Sequence, residues 1–432
     1  MWSYRFKMLW QRFGPPKGET DRNAWLLAVE VAFASILSAA AAFNSAYVVR
    51  LGASNAVIGL MSSIPALEAM LLYMPMAIFL ERKKRYMPWM VGSLFASRLI
   101  YPLLALFPLF LTQDQGLGNA TAVILIGATI PSVLFSVAWN PMFAEVVPPR
   151  TRASVMSTRS ILSAAIVAPL IFLAGRWLDT RQATFPANYQ WLYLAGFLGG
   201  AISVWLVARI RVPQKEAAPV AAAKPSWRDS LGFSVLRESP EFRRIMINSF
   251  LISLGSWFVG PLYVIFYVRE LGASDSWIGA TSTLGNIGAV VGYWLGRKLL
   301  KKVGENKGLR LALPTTFTWP FLVALFPNLT FILLAGFVQN VLTPSWSLSH
   351  TMIWMSRLPE KSKMTATAIY NTVMNVGAFI MPLIGVAVSS KIGIRNTLLI
   401  GGTMNLIGGL MFYLFPVTSK PEEPEGAELQ SA

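Results

Sequence analysis

Twelve long apolar stretches alternate along this chain with short segments of Pro, Gly, Asn and charge. They cover residues 24–48, 55–80, 87–110, 119–147, 154–176 and 189–210, then 245–268, 275–296, 308–326, 329–355, 364–389 and 396–416. A hydrocarbon layer about 30 Å thick takes roughly 20 helical residues to cross. Every stretch falls within or above the spanning range, so the pattern predicts an all-α polytopic membrane protein of twelve transmembrane helices. The first stretch is too long for the core of a signal peptide and is expected to remain in the mature protein.

Composition agrees with this pattern. Hydrophobic residues make up 54% of the 432 and charged residues only 13%, where soluble domains carry about 25% charge. The longest polar stretch, 213–239, is shorter than the roughly 40 residues below which isolated domains seldom fold. Nor does any Gly-x-x-x-x-Gly-Lys-Ser/Thr phosphate loop occur, so a nucleotide-hydrolysing domain is excluded. With no Cys and one His, disulfides, thiol chemistry and Cys/His metal centres are excluded as well. No metal site and no cofactor are expected.

The formal net charge of +17 raises nucleic acid as a partner, and the placement of the basic residues removes it. Assigning loops alternately to the two faces puts 30 Lys and Arg on the side of both termini. Only six lie on the other side: Arg50, Arg176, Arg181, Arg269, Lys391 and Arg395. Cytoplasmic loops retain Lys and Arg, so a multi-pass protein of the cell membrane with both termini in the cytoplasm is expected. The expected divisions are a cytoplasmic segment 1–23, a six-helix bundle 24–211, a cytoplasmic linker 212–240, a second six-helix bundle 241–416 and an acidic tail 417–432. Residues 1–13 place Trp2, Phe6, Leu9, Trp10 and Phe13 at helical spacing, as in a helix lying on the lipid surface or a plain charged leader. An Ala/Pro-rich tether runs from Gln214 to Ser226, the tail after Lys420 reads as disordered, and Ser239 and Pro240 mark the start of the seventh helix.

The chain also repeats itself. Residues 47–59 read YVVRLGASNAVIG and residues 267–279 read YVRELGASDSWIG, identical at eight of thirteen positions. A second echo, Pro148-Pro149-Arg150-Thr151-Arg152 against Pro359-Glu360-Lys361-Ser362-Lys363, falls at the equivalent junction of each half. Six spans per half give both halves the same orientation, the parallel-repeat construction of one transporter class. Over residues 24–416 the chain resembles the major facilitator superfamily. Residues 77–85, AIFLERKKR, are similar to that family's loop 2-3 signature, with Glu81 in the acidic place and both expected Gly missing. The equivalent loop after span 8, residues 292–298, keeps its first Gly but has Gly296 where the acid belongs. Glu145, Pro148 and Arg152 resemble its acid...Pro-x-x-x-Arg pattern, while only Ala168-Pro169 survives of the antiporter element in span 5. The resemblance implies two pseudo-symmetric six-helix bundles with spans 1, 4, 7 and 10 around a cavity, and a monomer that moves a small molecule by alternating access.

Candidate chemistry follows from charge at depth. By this span assignment Glu30, Glu68 and Arg98 are the ionisable residues deep in the membrane, where such groups are functional by default. Either carboxylate is a candidate proton carrier with Arg98 tuning it; alternatively Glu68 and Arg98, at matching depth, form a fixed structural pair. Glu81, Arg82, Arg85, Glu145 and Arg152 are candidates for a cytoplasmic latch, or simply a topogenic cluster. Substrate-facing candidates are Ser38, Trp139 and Asn140 in the first half and Asn340, Thr343, Ser347, His350, Asn371 and Asn375 in the second. Expected partners are thus a small-molecule substrate, protons and the bilayer. A polytopic membrane enzyme and a ligand sensor without flux are the competing readings.

Overall fold

The computed structural model describes residues 19–83, 85–111, 116–212, 236–237, 239–359 and 363–417, the side chains of 19–21, 150, 153 and 363–365 excepted. The amphipathic leader, the Ala/Pro-rich tether and the acidic tail lie outside the described residues. So does most of the second copy of the Pro148–Arg152 echo. The described residues are almost entirely helical, with no strand among them.

Two compact units form. One comprises residues up to 222 together with Tyr263–Asn286. It contains α1 (Glu19–Ala41), α2 (Asn44–Arg50), α3 (Asn55–Glu81), α4 (Met87–Arg98), α5 (Ile100–Leu106), α6 (Leu117–Gly127), α7 (Thr129–Val146), α8 (Pro149–Thr180) and α9 (Ala187–Ala208). The end of α10 (Pro240–Ile265) and the start of α11 (Asp275–Ala312) join it. The other unit holds the rest of α10 and α11 with α12 (Pro314–Leu325), α13 (Leu329–Ser356), α14 (Lys363–Ile392) and α15 (Ile394–Leu414).

Ten segments among the described residues are long and apolar enough to cross a membrane. They match every expected stretch but the eighth and ninth, which are helical too. Lysines and an arginine at 297–302 charge the later part of α11, Gly304 at φ 77° interrupts it, and α12 has only 12 residues. Elsewhere the breaks have local causes. Pro102 has no N–H to give the Arg98 carbonyl, and the third span divides there into α4 and α5.

The repeated motif is a helix stop followed by a helix start. Gly52 (φ 82°) and Gly272 (φ 63°) take left-handed backbone, which glycine adopts without a Cβ penalty. Ser54 and Ser274 then cap the next helices, accepting from Val57 N at 3.3 Å and Trp277 N at 3.2 Å. The identical residues include those that the turn requires.

In the first unit, two dry clusters sit at opposite ends of α1. One gathers Leu27, Met90, Met142, Phe143 and Val207. The other gathers Phe43, Leu104 and the tyrosines Tyr47, Tyr189 and Tyr193, with Tyr47 and Tyr189 stacked at 4.6 Å. Large apolar side chains such as Met74, Phe110, Ile161 and Trp191 point outward, as a lipid solvent demands.

Replacing Gly52 by Ala places a Cβ on left-handed backbone and is expected to cost about 1–2 kcal/mol. Gly92→Ala, in open space on helical backbone, is expected to be neutral or mildly stabilising. Thermal melts of the two purified variants check the contrast.

Candidate functional site

Between the two dry clusters of the first unit lies a cavity of about 760 Å³, within the size range of small-molecule sites. Helical spacing brings Glu30, Ala34 and Ser38 of α1 onto one wall. Arg98 ends α4, Phe135, Ser136 and Trp139 come from α7, Arg159, Ser160 and Ser163 from α8, and Asn286 from α11.

Glu30 is buried and doubly engaged. Arg159 Nη2 donates to Oε2 at 2.8 Å and Ser203 Oγ to Oε1 at 2.7 Å. Arg159 also donates to the Leu27 carbonyl through Nη1, and its guanidinium lies 4.8 Å from the Trp139 ring centroid. Arg98 differs: its Nε is buried without a hydrogen-bond partner, and it forms no ion pair among the described residues. A membrane-centre Arg costs at least about 2.5–3.5 kcal/mol on insertion scales, so leaving one without a fixed anion is notable.

The sequence-level expectation of a Glu68–Arg98 pair is not met. Glu68 accepts from the Thr129 hydroxyl and does not line the cavity, while the acid whose charge reaches Arg98 is Glu30. Equal depth does not give equal direction around the bundle. Sequence reasoning also missed Arg159, which stands near the start of the fifth apolar stretch and was not counted among the deep charges. Pro149, a residue suited to the first turn of a helix, was the available signal. With α8 beginning there, Arg159 stands ten residues inside it.

Of the other candidates, Ser38 and Trp139 line the cavity, and Asn140 is exposed outside its lining. Glu145 accepts from Tyr86 Oη at 2.6 Å. Burial, with that bond and the Glu145 charge, pushes the Tyr86 phenol above its ordinary range, so it stays a donor. Arg152 bonds the carbonyls of Val147 (3.0 Å) and Ala144 (2.6 Å), closing the end of α7. No ion pair links Glu81, Arg82, Arg85, Glu145 and Arg152 to one another among the described residues. In the second unit Asn340 and Thr343 bond carbonyls of their own helix. His350 shares a 2.6 Å hydrogen bond with Ser249 and lies 5.4 Å from Trp346. Ser347 and Asn371 are exposed and Asn375 is half-buried. A crevice of about 540 Å³ in that unit is lined instead by Lys298, Lys301, Lys302 and neighbouring apolar residues.

On the face opposite the start of α1, the two copies of the repeated motif clasp each other within the first unit. Arg50 places Nη2 3.2 Å from Asp275 Oδ1 and 2.8 Å from the Ala273 carbonyl. Reciprocally, Arg269 donates to Asn55 Oδ1 and the Ala53 carbonyl. Ala53 and Asn55 are the motif counterparts of Ala273 and Asp275. Tyr189 Oη adds a 2.5 Å bond to Asp275, and Asp179 receives the N–H groups of Asp275 and Ser276 at 2.8 and 2.9 Å. A carboxylate there also suits the positive end of α11.

The sequence profile of the Major Facilitator Superfamily matches residues 26–348 and 245–431. The chain belongs to that superfamily. It is a membrane transporter, and the reading as a membrane enzyme falls away. No curated protein matches it by sequence. Among solved structures it is similar to a bacterial homologue of the iron transporter ferroportin in an inward-facing state, at 12% identity over 91% of this chain and 98% of that one, TM-score 0.71. It is also similar to a bacterial homologue of the human lysosomal transporter Spinster, at 14% identity over 93% and 97%, TM-score 0.60. The nucleoside transporter NupG follows at 12% identity over 92% and 100%, TM-score 0.61. At these identities the likeness is one of fold.

In this transporter, Arg159→Met leaves Glu30 buried without its cation and is expected to destabilise by about 3–5 kcal/mol. The double variant Glu30→Gln, Arg159→Met is expected to recover most of that loss. A double-mutant cycle on thermal unfolding measures both, and equal melts for the single and double variants would count against the pair.

Proposed function

We propose that this transporter is a secondary active carrier of a small organic solute, working by alternating access and coupled to protons through Glu30. One observation carries the reading: Glu30 is the carboxylate in the cavity lining, and its partner Arg159 lines the same space. A proton arriving at Glu30 frees Arg159, and loss of that proton restores the pair. Protonation is thereby tied to the charge that a solute meets. Glu68, held by Thr129 away from the lining, is left a structural role.

The charge asymmetry of the loops supports a cell-membrane protein with cytoplasmic termini, which makes the face bearing the Arg50–Asp275 clasp external. Opening toward that face then requires both arginines to leave their partners. On the cytoplasmic side Glu81, Arg82, Arg85, Glu145 and Arg152 remain the proposed latch, with Tyr86 holding Glu145 while the latch is unpaired.

Two measurements test these assignments. In liposomes enclosing a pH-sensitive dye, solute-driven proton movement is expected to vanish in Glu30→Gln and to persist in Glu68→Gln; the reverse result overturns the assignment of the carrier. Because the chain has no native Cys, a Ser38→Cys variant reports access to the cavity. Adding Arg50→Gln and Arg269→Gln is expected to speed its labelling by an impermeant thiol reagent applied outside, and unchanged labelling would remove the gating role of the clasp.

A further inference from the structure

Three ionised groups face the cavity of the first unit, and two of them account for each other. Glu30 gives one oxygen to Arg159 and the other to Ser203, so the charges of Glu30 and Arg159 cancel. Arg98 is left over. Its Nε is buried without a partner, and no ion pair to it forms among the described residues. Its stem lies beside Gly200, where a Cβ would stand 3.3 Å from Arg98 Cδ and press on the side chain. Around it, Glu30 is already committed, Tyr101 is a phenol on the following turn, and Glu68 is turned to Thr129 outside the lining. The cavity therefore carries one net positive charge, at a depth where charge must find a counter-charge.

We propose that the transported solute is an organic anion whose carboxylate or phosphate group pairs with Arg98 while its apolar body lies against Phe135 and Trp139. This rests on the transport reading of the cavity. A planar guanidinium matches either oxyanion through two parallel hydrogen bonds. Ser160 and Asn286, which form no side-chain hydrogen bond among the described residues, supply neutral contacts for the rest of the solute. A neutral solute leaves Arg98 with only the Glu30 charge that Arg159 already engages, and a cationic one places a further positive charge beside it.

The test uses the full chain in liposomes and three matched probe pools: small aromatic carboxylates and phosphate monoesters, their amides and alcohols, and the corresponding amines. Uptake is read by mass spectrometry, alongside thermal stabilisation of the purified protein by each pool. Accumulation is expected from the anionic pool, with the carboxylate and phosphate members showing which oxyanion is taken. Arg98→Gln is expected to lower it on the order of tenfold or more, and Arg98→Lys to retain part of it. Uptake confined to neutral or cationic pools overturns the proposal and leaves the transport reading standing. Anion uptake undiminished in Arg98→Gln overturns it as well. Anion-selective stabilisation lost in Arg98→Gln, without uptake of any pool, supports the ligand class and sinks the transport reading. Neither uptake nor charge-selective stabilisation overturns both.

Discussion

Inside a hydrocarbon layer an ionised side chain has to bring its counter-charge with it, because no water stands ready to solvate it. The contact of Glu30 with Arg159 is where that constraint shapes this protein most. It ties α1 to α8, and with Ser203 it ties both to α9. Because its two charges cancel, the charge left over in the space that these helices surround is that of Arg98. Apolar packing occupies either side of this polar middle.

The same constraint organises the face opposite the start of α1. There the duplicated motif supplies its own partners: each copy offers an Ala carbonyl and the Asx residue two positions on, and each receives an arginine from the other copy. Charge near a membrane surface is cheaper to expose than charge at the midplane, so such contacts are suited to being made and broken. Tyr189 connects the clasp to the stacked tyrosines beneath it.

Much of the architecture was legible before any coordinates. The apolar runs located the helices, and the echo of Tyr47–Gly59 at Tyr267–Gly279 pointed to the superfamily that the profile match shows. The site was legible only in part. Glu30, Ser38, Arg98 and Trp139 were named from depth and spacing and do line the cavity. Arg159 was passed over because it stands only five residues into the apolar stretch 154–176, whereas α8 begins at Pro149 and carries it ten residues in. Glu68 and Arg98 were matched by depth along their helices, although the side chains turn to different neighbours.

The amino-acid order alone determined that this chain lives in lipid, that it repeats one helix-turn-helix junction, and that the deep charges it names lie in the first half. Those properties follow from one-dimensional quantities: the length of an apolar run, the sign of a loop, the recurrence of a turn. Which acid meets which base was decided only by the tertiary structure. Partnership depends on the rotation and tilt of each helix against its neighbours, and packing of side chains contributed by distant segments sets both.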